Sequence, residues 1–342
     1  MATPTLDHPY PCRTQSPPLL AKGPPPLLAK GPIVTLDQIR AGGKAALARA
    51  LAELERFPDA PATVALLDRA YAEPRAHVVG MTGPPGVGKS TLMNALIGAW
   101  RTSGRTVGCI AVDPSSRRSG GALLGDRTRL TTDPEDQGIF VRSMAARDRL
   151  GGLAGLTVSA MVLMRALFDV VLIETVGVGQ SETDVVGVAD TVLFCVQPGS
   201  GDSLQFMKAG IAEIPHVVVV TKADMGAAAV RARADVLGAL GLGGGGDHDG
   251  WESPVLMVSS ARREGVEGLV SAIDGHAAWL GEAGRLAAAR HAQAEAWLEE
   301  AVRERYGREG VRRAGDLSLG LGESPFARLS VLSASLGFDS KG

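Results

Sequence analysis

GPPGVGKST, Gly83 to Thr91, is the stretch whose reading decides the fold. It follows the apolar run HVVGM (77–81) and leads into LMNALI (92–97), whose pattern predicts helix. Gly83, Gly88, Lys89 and Ser90 occupy the fixed places of G-x-x-x-x-G-K-[ST]. Glycines are needed because the backbone must curl until successive N–H groups point inward at phosphate oxygens. The segment Gly83, Pro84, Pro85, Gly86, Val87, Gly88, Lys89, Ser90, Thr91 is therefore expected to cradle a nucleotide. Lys89 would reach the outer phosphates, Ser90 would hold Mg²⁺, and the new helix would add its positive N-terminal end. A glycine-rich turn matching by chance has no reason to sit between a strand and a helix.

Outward from this loop, apolar runs of strand length alternate with helical patterns. Strands are expected at 77–82, 106–112, 139–144, 169–175, 191–196, 217–221 and 254–259. Helices are expected at 153–167, 204–211, 227–240 and 266–280. Continuous Val/Ile/Leu strands alternating with helices predict an α/β fold: a P-loop NTPase with a mostly parallel, doubly wound sheet and helices on both faces. Its ligand belongs beyond the carboxyl ends of the strands. This core is assigned to residues 76–284.

Residues 1–32 form a proline-rich leader with a tandem PPLLAKGP at 17–24 and 25–32, a composition that favours extended, poorly packed chain. Residues 33–75 carry helical spacing and read as an N-terminal helical extension, with Asp37 and Thr63 near the helix starts. Residues 285–342 read as a C-terminal helical arm. Its stripe of Ala294, Trp297, Leu298, Ala301 and Val302 either packs back on the domain or pairs with another subunit.

The composition is that of a soluble globular protein: 45% hydrophobic, 21% charged and a net charge of −2. That balance offers no electrostatic reason for a nucleic-acid or anionic-membrane partner. The three cysteines are far apart, and Cys109 and Cys195 sit in apolar runs, so no disulfide framework is expected. No apolar run approaches the ~20 residues that span a bilayer. The N-terminus lacks a signal-peptide layout, and a cytoplasmic setting is expected.

Further segments refine the phosphate site. ETVGVGQSE (174–182) follows the strand DVVLI. An acid at a strand end, Glu174, and then Gly177 suit a Mg²⁺ contact and a backbone N–H near the γ-phosphate. TKAD (221–224) suits guanine: the Lys222 stem would lie on the purine face while Asp224 accepts from N1–H and the exocyclic amine. Thr221 stands where asparagine is more usual. Ser260 and Ala261 would complete the base-side loop. AVDPSSRRSGGALLGDRTRL (111–130) supplies Asp113 and Asp126, either of which could hold Mg²⁺ directly or through water. In QPGSGDSLQFMKAG (197–210), Asp202, Gln205 and Lys208 could face the nucleotide or a partner; read alone, Asp202 is a helix cap.

In this order the segments resemble the MeaB/ArgK-type GTPases, the bacterial relatives of the human methylmalonic aciduria type A protein. The resemblance runs from about Ile33 to beyond Gly284 and rests most on ETVGVGQSE together with the AVDPSS segment. It implies a GTPase domain with an N-terminal helical extension and a C-terminal arm that makes a homodimer. It also implies GTP/GDP and Mg²⁺ as ligands, slow hydrolysis by the chain alone, and stimulation by a partner. That partner would be an adenosylcobalamin-dependent acyl-CoA mutase of the methylmalonyl-CoA mutase type, which the GTPase serves as a chaperone during cofactor loading and protection. Lys89, Ser90, Asp113, Asp126 and Glu174 match the family's active-site positions, with Ser90, Asp113, Asp126 and Glu174 about the metal. Asp202 and Lys208 match its third switch loop, which answers to the mutase, and count with Lys89, Asp113 and Glu174 as catalytic candidates. Thr221, RSMAARDRLGGLA (142–154) and Pro215 look like the ArgK-labelled branch. The alternatives are accordingly a protein kinase or ATPase linked to amino-acid transport, and a metal-insertion GTPase of similar fold. For the latter the cysteines are scattered and the six histidines do not cluster.

Overall fold

Two helices lead into the sheet in the computed structural model, which describes residues 35–114, 130, 132–146, 155–175, 185–199, 215–243, 247–248 and 250–337. Thr35 starts α1 (Leu36–Arg56) with a capping box: its hydroxyl accepts from the Gln38 N–H while the Gln38 side chain accepts from the Thr35 N–H. Gly43 (φ 58°) breaks α1. α2 (Pro61–Ala72) opens on a proline, whose missing N–H costs nothing in a first turn. Asp37 and Thr63 fall inside these first turns rather than at the caps; the Thr63 hydroxyl donates to Phe57 O at 2.8 Å.

Seven strands form the main sheet: β1 (His77–Thr82), β2 (Val107–Pro114), β3 (Ile139–Ala146), β4 (Val170–Glu174), β5 (Thr191–Val196), β6 (Val217–Val220) and β9 (Val255–Met257). The two-residue β7 (Asp247–His248) and β8 (Trp251–Glu252) pair separately and antiparallel. The sheet order is β3-β2-β4-β1-β5-β6-β9, with every pairing parallel. Helices α3 (Lys89–Thr102), α4 (Gly155–Arg165), α5 (Ala227–Gly243) and α6 (Val266–Gly281) cover it. Strand bounds differ from the sequence reading by a residue or two; the helix expected at 204–211 lies outside the described residues.

Alternation along the strands explains the two layers. Val78, Ile110, Val171, Ile173 and Val192 enter one core with α1, α2 and α4. Val79, Met81, Cys109, Leu172 and Leu193 enter the other with α3 and α6. β1 lies between β4 and β5; earlier-wound strands extend to one side and later ones to the other. The carboxyl end of β1 is where doubly wound sheets place their ligands.

The arm is α7 (Arg285–Ala314), broken at Gly307 (φ 69°), and α8 (Pro325–Gly337). Within the chain, part of the expected stripe packs on α8. Ala294, Leu298 and Val302 bury against Leu329, Leu332 and Leu336 of α8, and the Trp297 and Phe326 rings meet at 4.8 Å. Arg290 ties α7 to the amino end of the sheet. Its guanidinium donates to both Asp190 oxygens (Nε 2.8 Å, Nη2 2.6 Å) and to Ala76 O, and Asp190 also accepts from the Val78 N–H at 2.8 Å. No described helix is long and apolar enough to cross a membrane.

Candidate nucleotide site

Between β1 and α3 the loop turns on glycines with positive φ: Gly83 at 135°, Gly86 at 75° and Gly88 at 100°. At Gly83 the need is doubled, because a Cβ there would stand 2.4 Å from the Cys195 carbonyl oxygen on β5. Gly88 is the left-handed N-cap of α3, with no side-chain cap and no acid in the first turn. Gly88 thus offers no side-chain acceptor to the first N–H groups of α3, the arrangement that suits a phosphate. Lys89 is 6% exposed and folds back over the loop, donating to Gly83 O at 2.7 Å and Pro84 O at 3.1 Å.

Ser90 Oγ donates to Glu174 Oε1 at 2.8 Å, so two groups 84 residues apart meet at the carboxyl end of β4. Glu174 pairs in register with Ala111 of β2, which places Asp113 two positions further along the same edge of the sheet. Asp126, Gly177, Gln180, Asp202, Gln205 and Lys208 lie outside the described residues.

The 221–224 loop, expected on the base side, is held onto the phosphate loop. The Thr221 hydroxyl lies 2.7 Å from Val87 O and 3.0 Å from Val196 O, bridging the loop to the end of β5. Lys222, in left-handed conformation (φ 53°), donates to Gly86 O at 3.1 Å and Gln197 Oε1 at 2.5 Å. Asp224 is exposed and accepts from Ser259 Oγ at 2.7 Å. That hydrogen bond, with the nearby Arg262 and Lys222 charges, holds its carboxyl below the ordinary value. Ser260 and Ala261 follow directly on this loop. Sequence reasoning missed Ser259 and Gln197, which fix Asp224 and Lys222; their signal was only adjacency to strand ends.

Cys195 and Cys109 lie beneath the site, wholly buried, and burial pushes both thiols up to about 12. They are packing groups of the sheet.

Loop, sheet order and acid-tipped β4 define a P-loop nucleoside triphosphatase fold of the GTPase class. The chain belongs to the MeaB family: residues 47–312 match the family described as methylmalonyl Co-A mutase-associated GTPase MeaB. It is 34% identical over 280 residues to the GTPase ArgK of Escherichia coli, covering 79% of this chain and 83% of that one. It is 35% identical over 239 residues to the mitochondrial methylmalonic aciduria type A homolog of Mus musculus, covering 69% of this chain and 57% of that one. A solved structure described as LAO/AO transport system kinase superposes with a TM-score of 0.63 at 26% identity, covering 91% of this chain and 99% of that one.

Proposed function

We propose that this protein binds GTP with Mg²⁺, hydrolyses it slowly by itself, and serves as a chaperone of an adenosylcobalamin-dependent acyl-CoA mutase. The observation that carries the reading is the Ser90–Glu174 contact at 2.8 Å beside Lys89 and the uncapped start of α3. A hydroxyl and a carboxylate are hard oxygen donors of the kind Mg²⁺ takes, so the groups present fit that ion. Ser90 and Glu174 would hold it, with Asp113 and Asp126 contributing directly or through water. When bound, the metal neutralises charge on the β- and γ-phosphates.

The chain's own residues supply positioning and charge. The loop amides and Lys89 hold the outer phosphates, and Lys89 moves from the Gly83 and Pro84 carbonyls to do so. Thr221 keeps the base loop against the phosphate loop, and Ser259 aims Asp224 at the guanine edge. No described side chain stands as a general base, which accords with a slow rate that a partner raises. Asp202, Lys208 and Gly177 are proposed as the partner-responsive and γ-phosphate contacts. The family description and the mouse relative's name support a mutase of the methylmalonyl-CoA type as partner. A cytoplasmic setting and a homodimer through the arm belong to the same proposal. Ala294, Leu298 and Val302 are buried against α8, so such a dimer would use the rest of the arm's surface.

The test is phosphate release from GTP, with ATP as control, alone and with candidate acyl-CoA mutases. A low basal rate raised by one mutase is expected; contributions in trans reach about 10³–10⁵-fold in such sites. Full-speed hydrolysis alone, with no gain from any mutase, counts against it. The neighbour described as a transport-system kinase keeps a second reading in view. Radiolabel passing from nucleotide to a protein, rather than to phosphate, would favour that one.

A further inference from the structure

Away from the phosphate loop, at the amino end of the sheet, a buried guanidinium has a nitrogen with no hydrogen-bond acceptor among the described residues. The group is Arg165, at the end of α4 and 4% exposed, and the nitrogen is its Nε. Its guanidinium sits over the Tyr71 ring at 5.7 Å. Asp190, the described carboxylate whose charge reaches Arg165, is already held by Nε and Nη2 of Arg290 and by the Val78 N–H. His77 adds no negative charge, and burial holds its imidazole below the ordinary value, so it is neutral at pH 7. Burial and the Arg290 charge bring Arg165 down to about 10, which leaves it charged at neutral pH. The cluster of Arg165, Arg290 and Asp190 therefore carries one excess positive charge away from water, an arrangement that costs several kcal/mol unless something compensates it.

A small cavity of about 20 Å³ opens beside it. Arg165, Arg290, Tyr71, Gln293 and Trp297 are around it, and among the described residues no acid lines it. That volume takes a single water-sized group. We propose that this cavity is a binding site for a small monovalent anion, a halide or one oxygen of a small carboxylate entering from its open side, held chiefly by Arg165. The site lies where α2, α4, α7 and α8 converge, so the anion clamps the helical arm and extension onto the GTPase core. It does not depend on the reading of the nucleotide site.

The experiment uses the full-length protein. Its thermal midpoint is followed while potassium bromide, or in a second arm potassium formate, replaces methanesulfonate at constant ionic strength. The anion binds the folded state alone, so a saturable rise of about 2–4 °C is expected at saturation. Arg165→Met removes the buried charge and should abolish the response while leaving GTP affinity unchanged. Anomalous diffraction from bromide-soaked crystals should place a peak within hydrogen-bond reach of Arg165. A response to bromide alone identifies a halide site; a tighter response to formate identifies a carboxylate site. An Arg165→Met protein that responds like wild type overturns the proposal. So does an absent bromide peak in wild-type crystals together with a flat midpoint in both arms, which decides the matter even if the variant fails to fold.

Discussion

Replacing Asp190 with asparagine isolates the contribution of buried charge to holding the arm on the sheet. Asp190 is 6% exposed, yet its two oxygens receive Arg290 Nε at 2.8 Å, Arg290 Nη2 at 2.6 Å and the Val78 N–H at 2.8 Å. Asparagine keeps the volume but carries no charge and only one acceptor oxygen. Arg290 then joins Arg165 as a second buried guanidinium with no acid beside it. Removing one partner of such a pair costs about 3–5 kcal/mol. That is a large part of the ~5–15 kcal/mol by which domains are stable. With a urea slope of about 3 kcal/mol/M, the unfolding midpoint should fall by roughly 1–2 M. Asp190→Asn combined with Arg290→Met should recover part of the loss, because the orphaned cation is gone. GTP affinity should stay within about threefold, since Asp190 precedes β5 and the phosphate loop lies at the strand's other end. The pH dependence follows from the same contacts. Burial pushes this carboxyl up, but the Arg290 hydrogen bonds and charge, helped by His77 and Val78, outweigh it and hold the carboxyl below its ordinary value. A depressed folded-state value contributes stability above the unfolded value near 4 and loses it as pH falls through the folded one. The gap between wild type and Asp190→Asn should thus be constant at neutral pH and close only below about pH 4. A cost under about 1 kcal/mol at pH 7 would refute the reasoning, because an exposed pair is worth that little.

Other outcomes follow from the site. Gly83→Ala forces a Cβ to 2.4 Å from the Cys195 carbonyl at φ 135°, and isothermal titration should show GTP affinity reduced by at least about 10²-fold. Gly86→Ala, with φ 75° and open space around its Cβ, should keep the fold and serve as its thermal-unfolding control. Glu174→Gln should lower Mg²⁺-dependent phosphate release about 10²-fold while nucleotide binding without metal is kept; equal turnover would remove Glu174 from the metal site. Cys109 and Cys195, wholly buried with thiols near 12, should resist a thiol reagent until urea unfolds the chain; fast native-state labelling of either would contradict their burial.

Much of this protein is written in short-range pattern. The run of valines at 217–220, the glycines of the phosphate loop and the TKAD segment each carry their meaning locally, since strand burial, positive φ and turn chemistry depend on a few neighbours. Pattern of this kind predicts the parallel sheet and the phosphate loop, and the family resemblance rests most on ETVGVGQSE with the AVDPSS segment. Other features are invisible without tertiary structure, because they join residues that only the winding of the sheet brings together. Ser90 and Glu174 are both expected about the metal, but their direct hydrogen bond exists because β4 lies beside β1. Arg290 reads as one more charge on a polar helix until it is seen 100 residues away on Asp190. Arg165 likewise closes an apolar helix like any solvated cap, and its burial is decided by α2 and α7 packing over it. Local pattern states what each segment prefers to be; which charges lose their water is set by the elements that cover them.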